Sequence, residues 1–262
     1  MNSKTLSKEA LNIIKEYKEM EISGVQISCP YFINKGQKIR AGLKVMIGKG
    51  SPKEIKEEIT LIALRKKVDL KKLSKKDLQK FFIDNNIGID CSGFVFYVLD
   101  AEIKSRKLGG LKRHLRFPLA KNPLRKILAQ IRPVENTNVK SLAHDKNSFE
   151  VMLSQIEPGD LITLTGAGEN NNFDHVLIVD KVDYKNDLPV AIHYTHSLKW
   201  STDGELNHGI KEGVIEISDS KNSILEQKWT ENKMTGKQNE TLQRFMTAKW
   251  FGIRRLGAFS KK

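Results

Sequence analysis

The apolar positions of this chain change period near its middle. Up to about residue 105 they recur at helical spacing, and from residue 158 onward they alternate at every second residue. Ser7 caps a first helix whose apolar face is Ala10, Leu11, Ile14 and Tyr17. Ser51-Pro52-Lys53-Glu54 forms a capping box with proline at the first helical position, and Ile55, Ile59, Ile62 and Ala63 follow on one face. Ser74 opens a short helix through Leu78, Phe81 and Phe82. Residues 22–33 read as extended around Cys29-Pro30-Tyr31-Phe32. Asp90 then caps a helix with Phe94, Val95, Val98, Leu99 and Ile103 at helical spacing. Phe96 and Tyr97 fill most of its remaining face, so it is expected to be covered on nearly all sides.

In the second half, strands are expected over 160–165, 174–182, 190–197 and 213–217. Turn-rich stretches at 166–172, 183–189 and 201–209 separate them. A helix near Leu242, Phe245 and Met246 and a closing strand over 251–256 complete the chain, which has no internal repeats. Helices followed by consecutive strands imply an α+β fold, with an antiparallel sheet packed on the helix that begins at Cys91. The division expected is a mostly helical N-terminal region, 1–86, and a catalytic domain, 87–262, carrying an insertion at about 104–150.

That insertion is strongly basic. No Asp or Glu lies between Glu102 and Glu135, while Lys112, Arg113 and Arg116 belong to a run of cations broken by Gly109-Gly110, Pro118 and Pro123. With few aromatics to stack on bases, it reads as a mobile lid facing an anionic substrate rather than a nucleic-acid module. The net charge of +14 suggests an acidic partner (nucleic acid, membrane surface or cell-wall polymer), the bland alternative being a lysine-rich solvated surface.

A chain of 262 residues can bury a full core. No run approaches the roughly 18 apolar residues of a membrane span. The first twenty residues read as an amphipathic helix, with Lys15, Glu16, Lys18 and Glu19 where a signal peptide needs apolar residues. The cytoplasm is therefore the default expectation, with non-classical export left open. Cys29 and Cys91 do not form a disulfide framework, and Cys29, before a proline, reads as packing. Gly48-Lys49-Gly50-Ser51 does not meet the phosphate-loop spacing.

Cys91 carries the chemistry expected of the chain. In the first turn of a capped helix a thiol meets unpaired N–H groups and the positive end of the dipole, both of which favour thiolate. Gly93 would admit another backbone or a substrate. An inert buried cysteine is the competing reading.

Asp90-Cys91-Ser92-Gly93-Phe94-Val95 resembles the Asp-Cys-Ser-Gly-aliphatic motif of the NlpC-like cell-wall cysteine peptidases, a papain-like group related to CHAP amidases. Pro158-Gly159-Asp160-Leu161-Ile162 resembles that family's turn into its first core strand. Asp174-His175-Val176-Leu177-Ile178-Val179 resembles its strand bearing the catalytic base, and Tyr194-Thr195-His196-Ser197 the next strand. The family's Tyr-x-Trp-Gly-Gly lead-in is absent, and the long separation of Cys91 from His175 contains the basic insertion.

The resemblance implies a papain-like core in which Cys91 is the nucleophile, His175 the base and His196 its orienting partner. The backbone N–H of Cys91 would bind the oxyanion, and the reaction would be hydrolysis of an amide in a peptidoglycan stem peptide, without cofactor or metal. Tyr31, by position alone, stands in for the missing family tyrosine. Ser92 and Asp174, with Lys112, Arg113 and Arg116, are the other residues expected to face substrate. His193 lies three residues from His196, so a regular strand sends the two to opposite faces. Alternation does not choose between them; the resemblance chooses His196. Zinc on His175, His193 and His196 is disfavoured, because no Cys-x-x-Cys or His-Glu-x-x-His spacing accompanies them. His114, His144 and His208 are expected in solvent. An intracellular amidase or acyltransferase with the same core stays open, as does a non-catalytic, basic nucleic-acid-binding protein of this fold. The oligomeric state is not legible.

Overall fold

Side-chain caps start the helices where the sequence places them. In the computed structural model, which describes residues 2–34 and 43–260, β1 (Asn2–Thr5) precedes α1 (Lys8–Lys18), and the Ser7 hydroxyl accepts from the N–H of Ala10. A hairpin of β2 (Met20–Ile22) and β3 (Val25–Ile27) follows. Ser51 and Glu54 form the reciprocal capping box of α2 (Pro52–Lys66), and Ser74 caps α3 (Lys75–Asp84). Asp90 accepts from the N–H of Gly93 at 2.6 Å and starts α4 (Cys91–Ser105). The insertion forms α5 (Pro123–Ile131), α6 (Pro133–Asn136) and α7 (Val139–Leu142).

The rest is mostly sheet: β4 (Ser148–Glu150), β5 (Leu161–Ala167), β6 (Phe173–Lys185), β7 (Leu188–Leu198), β8 (Gly209–Glu216), β9 (Lys228–Glu231) and β10 (Met234–Thr235). After α8 (Glu240–Met246), β11 (Trp250–Leu256) returns to pair with β5. The fold is α+β. Its nine-stranded sheet runs β10-β9-β8-β7-β6-β5-β11-β4 with β1 added beside β6, and its strand pairings are antiparallel. β1 joins β6 from Asn2↔Tyr184 to Thr5↔Lys181, on the edge that β5 occupies further along the same strand.

Both faces of the sheet centre are covered, so Val176-Leu177-Ile178-Val179 is apolar at every position. Val176 and Ile178 meet α1 and α4 through residues such as Ile14, Tyr17, Phe94 and Val98. Leu177 and Val179 join Ile192, Tyr194, Trp229 and Phe245 in a second core on the opposite face. Full burial of Phe94, Val98 and Leu99, each contributing roughly 1.5–3 kcal/mol, holds α4 against β6 and β7.

The N-terminal region is less helical than its pattern suggests. Asn2-Ser3-Lys4-Thr5 is exposed throughout and carries no apolar alternation; its strand exists because β6 offers backbone partners far away in sequence. Residues 35–42 of that region lie outside the described residues. β6 continues through Lys185, beyond the turn expected at 183, and β8 begins at Gly209 rather than 213. The insertion is anchored rather than loose: Leu111, Leu115, Phe117, Ala129 and Val139 are buried in the α4 core. Among the described residues no helix is long and apolar enough to cross a membrane.

Candidate active site

The pairing of β6 with β7 runs from Lys185↔Leu188 to Ile178↔Thr195 and stops there. In the fork beyond it sit residues 89–91. Ser197 Oγ donates to the carbonyl of Ile89 at 2.9 Å, and the N–H of Val176 faces the Cys91 sulfur. The strand containing the expected base thus touches the first residue of α4. Residues 30–32 fix the same segment from the other side, Ile89 N–H donating to Pro30 O at 2.9 Å and Phe32 N–H to Ile89 O at 3.2 Å. The N–H of Tyr31 donates to Nδ1 of His208 at 3.2 Å. His208, expected in solvent, is buried in that role.

A buried lysine braces the helix start. Lys49 Nζ lies 2.9 and 2.8 Å from the two carboxylate oxygens of Asp90, 2.6 Å from Ser92 Oγ and 2.9 Å from the carbonyl of Thr137. Gly48 brings Lys49 there at φ 75°, and a Cβ on it would stand 2.3 Å from the carbonyl of Phe32. Its own carbonyl would be 2.9 Å from a Cβ on Gly93, so the close approach at Gly93 is by backbone.

His175 and His196 meet on the second-core face. His175 Nε2 and His196 Nδ1 are 2.7 Å apart, with the rings crossed at 72°. His196 Nε2 lies 3.1 Å from Oε2 of Glu231, which also accepts from Tyr194 Oη at 2.8 Å; Thr241 Oγ1 donates to Oε1 at 3.2 Å. Burial alone would raise the Glu231 pKa, but His196 and the hydrogen bonds from His196, Tyr194 and Thr241 bring it below the usual glutamate value. An ionised Glu231 requires the proton of His196 on Nε2. His196 Nδ1 then accepts from Nε2–H of His175, which leaves His175 Nδ1 with a free lone pair. That Nδ1 is buried and has no hydrogen-bond partner.

The electrostatics oppose the thiolate expected at a helix start. Burial, then Asp90, pushes the Cys91 thiol up to about 12; Lys49 and the N–H groups of Val176 and Ser92 pull the other way without winning. His175 is held well below its usual value by burial, His196 and Arg244. At rest the Cys91 thiol and the His175 imidazole are both neutral. The Phe173 ring stacks on His175 at 5.7 Å and carries the Arg244 guanidinium at 4.4 Å from its centre. Tyr31 stays protonated, its pKa pushed well up by burial, Cys91 and Asp90.

The remaining expected residues fall into different places. Ser92 Oγ is occupied by Lys49, Asp90 and the Thr137 carbonyl. Asp174 accepts from Gly166 N–H at 3.0 Å and pairs with Lys140 at 3.4 Å, bracing the β5–β6 turn and α7. Lys112, Arg113 and Arg116 follow Leu111, whose N–H donates to Asp100 at 2.8 Å. Asp100 lies about 13 Å along α4 from Cys91, at 1.5 Å per residue. His193 bonds Asp183 at 2.8 Å on the face opposite His196, and Cys29 is fully buried. Glu231, Lys49 and Arg244 were not singled out from the sequence. Lys49 stood in a loop rejected for its spacing, and Glu231 in a stretch without an apolar period. Among the described residues no cluster of three or more His, Cys, Asp or Glu could hold a metal ion. No family model, no curated protein and no solved structure matches the chain.

Proposed function

We propose that the protein is a cysteine hydrolase of the papain-like, NlpC-like kind, cleaving an amide in a peptidoglycan stem peptide. The observation that carries this reading is the line His175, His196, Glu231, which ends in an unpartnered His175 nitrogen on the strand whose next residue, Val176, turns its N–H to the Cys91 sulfur. The substrate class rests on the likeness of the Asp-Cys-Ser-Gly, His-Val and Tyr-Thr-His motifs to that family.

In this mechanism His175 Nδ1 takes the Sγ proton as the sulfur attacks the amide carbonyl. The developing oxyanion is met by the N–H of Cys91, and the tetrahedral intermediate collapses as His175 gives its proton to the leaving amine. A water then attacks the thioester, His175 again serving as base, and releases the acid and the free thiol. His196 and Glu231 hold His175 in the required tautomer and stabilise the imidazolium that forms twice per turnover. Tyr31, protonated beside the thiol, offers substrate a hydrogen-bond donor. Incubation with purified muropeptides and mass spectrometry of the products tests the reading. Stem-peptide cleavage that Cys91→Ala abolishes is expected; uncut muropeptides would contradict the substrate class.

A further inference from the structure

One helix is inside out. α5 carries Leu124, Ile127, Leu128 and Ile131 at i, i+3, i+4 and i+7, a single stripe about 100° wide at 100° per residue. In a globular protein that stripe faces the core. Here the four side chains are 66, 57, 44 and 63 % exposed, and the one buried residue of the helix, Ala129, lies almost opposite them. Leu119, just before the helix, is 54 % exposed as well. The helix is thus attached by its small-residue side and presents its aliphatic side outward.

The surroundings of the stripe are cationic. Lys121, just before the helix, and Arg125, beside the stripe, are exposed, and Lys112, Arg113 and Ile131 line a neighbouring cleft of about 570 Å³ whose acids Asp100 and Glu135 are paired with Lys104 and Arg132. No acidic residue interrupts the segment between Glu102 and Glu135. We propose that α5 is an interfacial anchor that lays its aliphatic stripe into the surface of an anionic lipid bilayer, with the flanking Lys and Arg on the headgroups.

Charge complementarity selects this occupant. A second copy docking symmetrically on the same face would set cation against cation. Nucleic acid would use the cations and leave the stripe in water, and the segment has no aromatic ladder for bases. A bilayer with anionic headgroups uses both features, and long basic side chains can reach headgroups while their stems lie along the apolar boundary. Nothing in this inference depends on amide hydrolysis.

The test is co-sedimentation of the full chain with phosphatidylcholine vesicles, with and without phosphatidylglycerol. Binding to the anionic vesicles is expected to exceed binding to the neutral ones by roughly tenfold or more, and to weaken as salt rises. Ile127→Ser, Leu128→Ser and Ile131→Ser combined should abolish it. Leu61→Ser with Leu64→Ser, exposed leucines on α2, should leave it intact. Lys121→Gln with Arg125→Gln, which spares the stripe, should lower binding to anionic vesicles alone. Absence of vesicle binding would overturn the proposal, as would binding that survives loss of the stripe. A dimer in solution that the serine variant dissolves, without vesicle binding, would assign the face to self-association instead.

Discussion

His175 Nε2 and His196 Nδ1 stand 2.7 Å apart, while His193, three residues earlier on the same strand, points away to Asp183. Two histidines of one strand therefore have separable consequences. His196→Ala should lower turnover by orders of magnitude with little change in KM, because in the proposed mechanism the interaction it removes serves the transition state. His193→Ala should leave turnover within about twofold and cost at most about 1 kcal/mol of stability, its hydrogen bond to Asp183 being partly exposed. Steady-state kinetics of the two variants checks this; an inactive, folded His193 variant would reverse the assignment.

In the proposed mechanism Glu231 acts through His196 and not on substrate. Glu231→Gln keeps the shape but removes the charge that holds the His196 proton on Nε2. A loss of roughly 10–100-fold in turnover is expected, typical of a residue that orients a reacting group. The KM should stay near wild type, and circular dichroism should show a native fold. An unchanged turnover would reduce Glu231 to a packing role.

The pH dependence follows from two shifts in opposite directions. The proposed base, His175, must be neutral to act and its pKa lies well below the usual 6.5, so the acid limb of kcat/KM should fall below pH 6.5. Cys91 is raised to about 12, so its alkylation by iodoacetamide should keep climbing above pH 8.5. A plateau at neutral pH would reveal a preformed thiolate–imidazolium pair. The same shift acts on stability. Below the unfolded value near 6.5 the unfolded chain binds a proton that folded His175 refuses, so this contribution is present above that pH and lost as pH falls.

Lys49 should be a stability residue with an effect on the thiol. Lys49→Met leaves Asp90 buried and unpaired at the start of α4, at an expected cost of about 3–5 kcal/mol. Asp90→Asn added to it keeps an N-cap acceptor and removes the stranded charge, so the double variant should recover much of that loss in denaturant unfolding. Strict additivity of the two would show that the pair does not interact.

The sequence carried what depends on local patterns. Ser7, Ser51, Ser74 and Asp90 mark their helix starts because a cap is a short-range event. β5, β6 and β7 show themselves by apolar runs between turn residues. What was illegible is non-local. β1 has no apolar signal and is made by backbone pairing to β6. Glu231 looks like an ordinary surface acid until β9 joins β8 and carries it to His196, 35 residues earlier in the chain. The thiolate expected at Cys91 failed for a related reason: the helix terminus is local, but burial and the carboxylate of Asp90 outweigh it. The basic insertion was legible in charge but not in orientation, since periodicity alone would turn the stripe of α5 inward.

The central claim is that His175 activates Cys91 as a nucleophile, and active-site titration with a p-nitrophenyl ester tests it most directly. One equivalent of p-nitrophenolate should be released in a burst, with the acyl group mapped by mass spectrometry to Cys91 and absent from Cys29. The burst should vanish in Cys91→Ala and slow by orders of magnitude in His175→Ala. Acylation elsewhere, or a burst unchanged in either variant, would contradict the account.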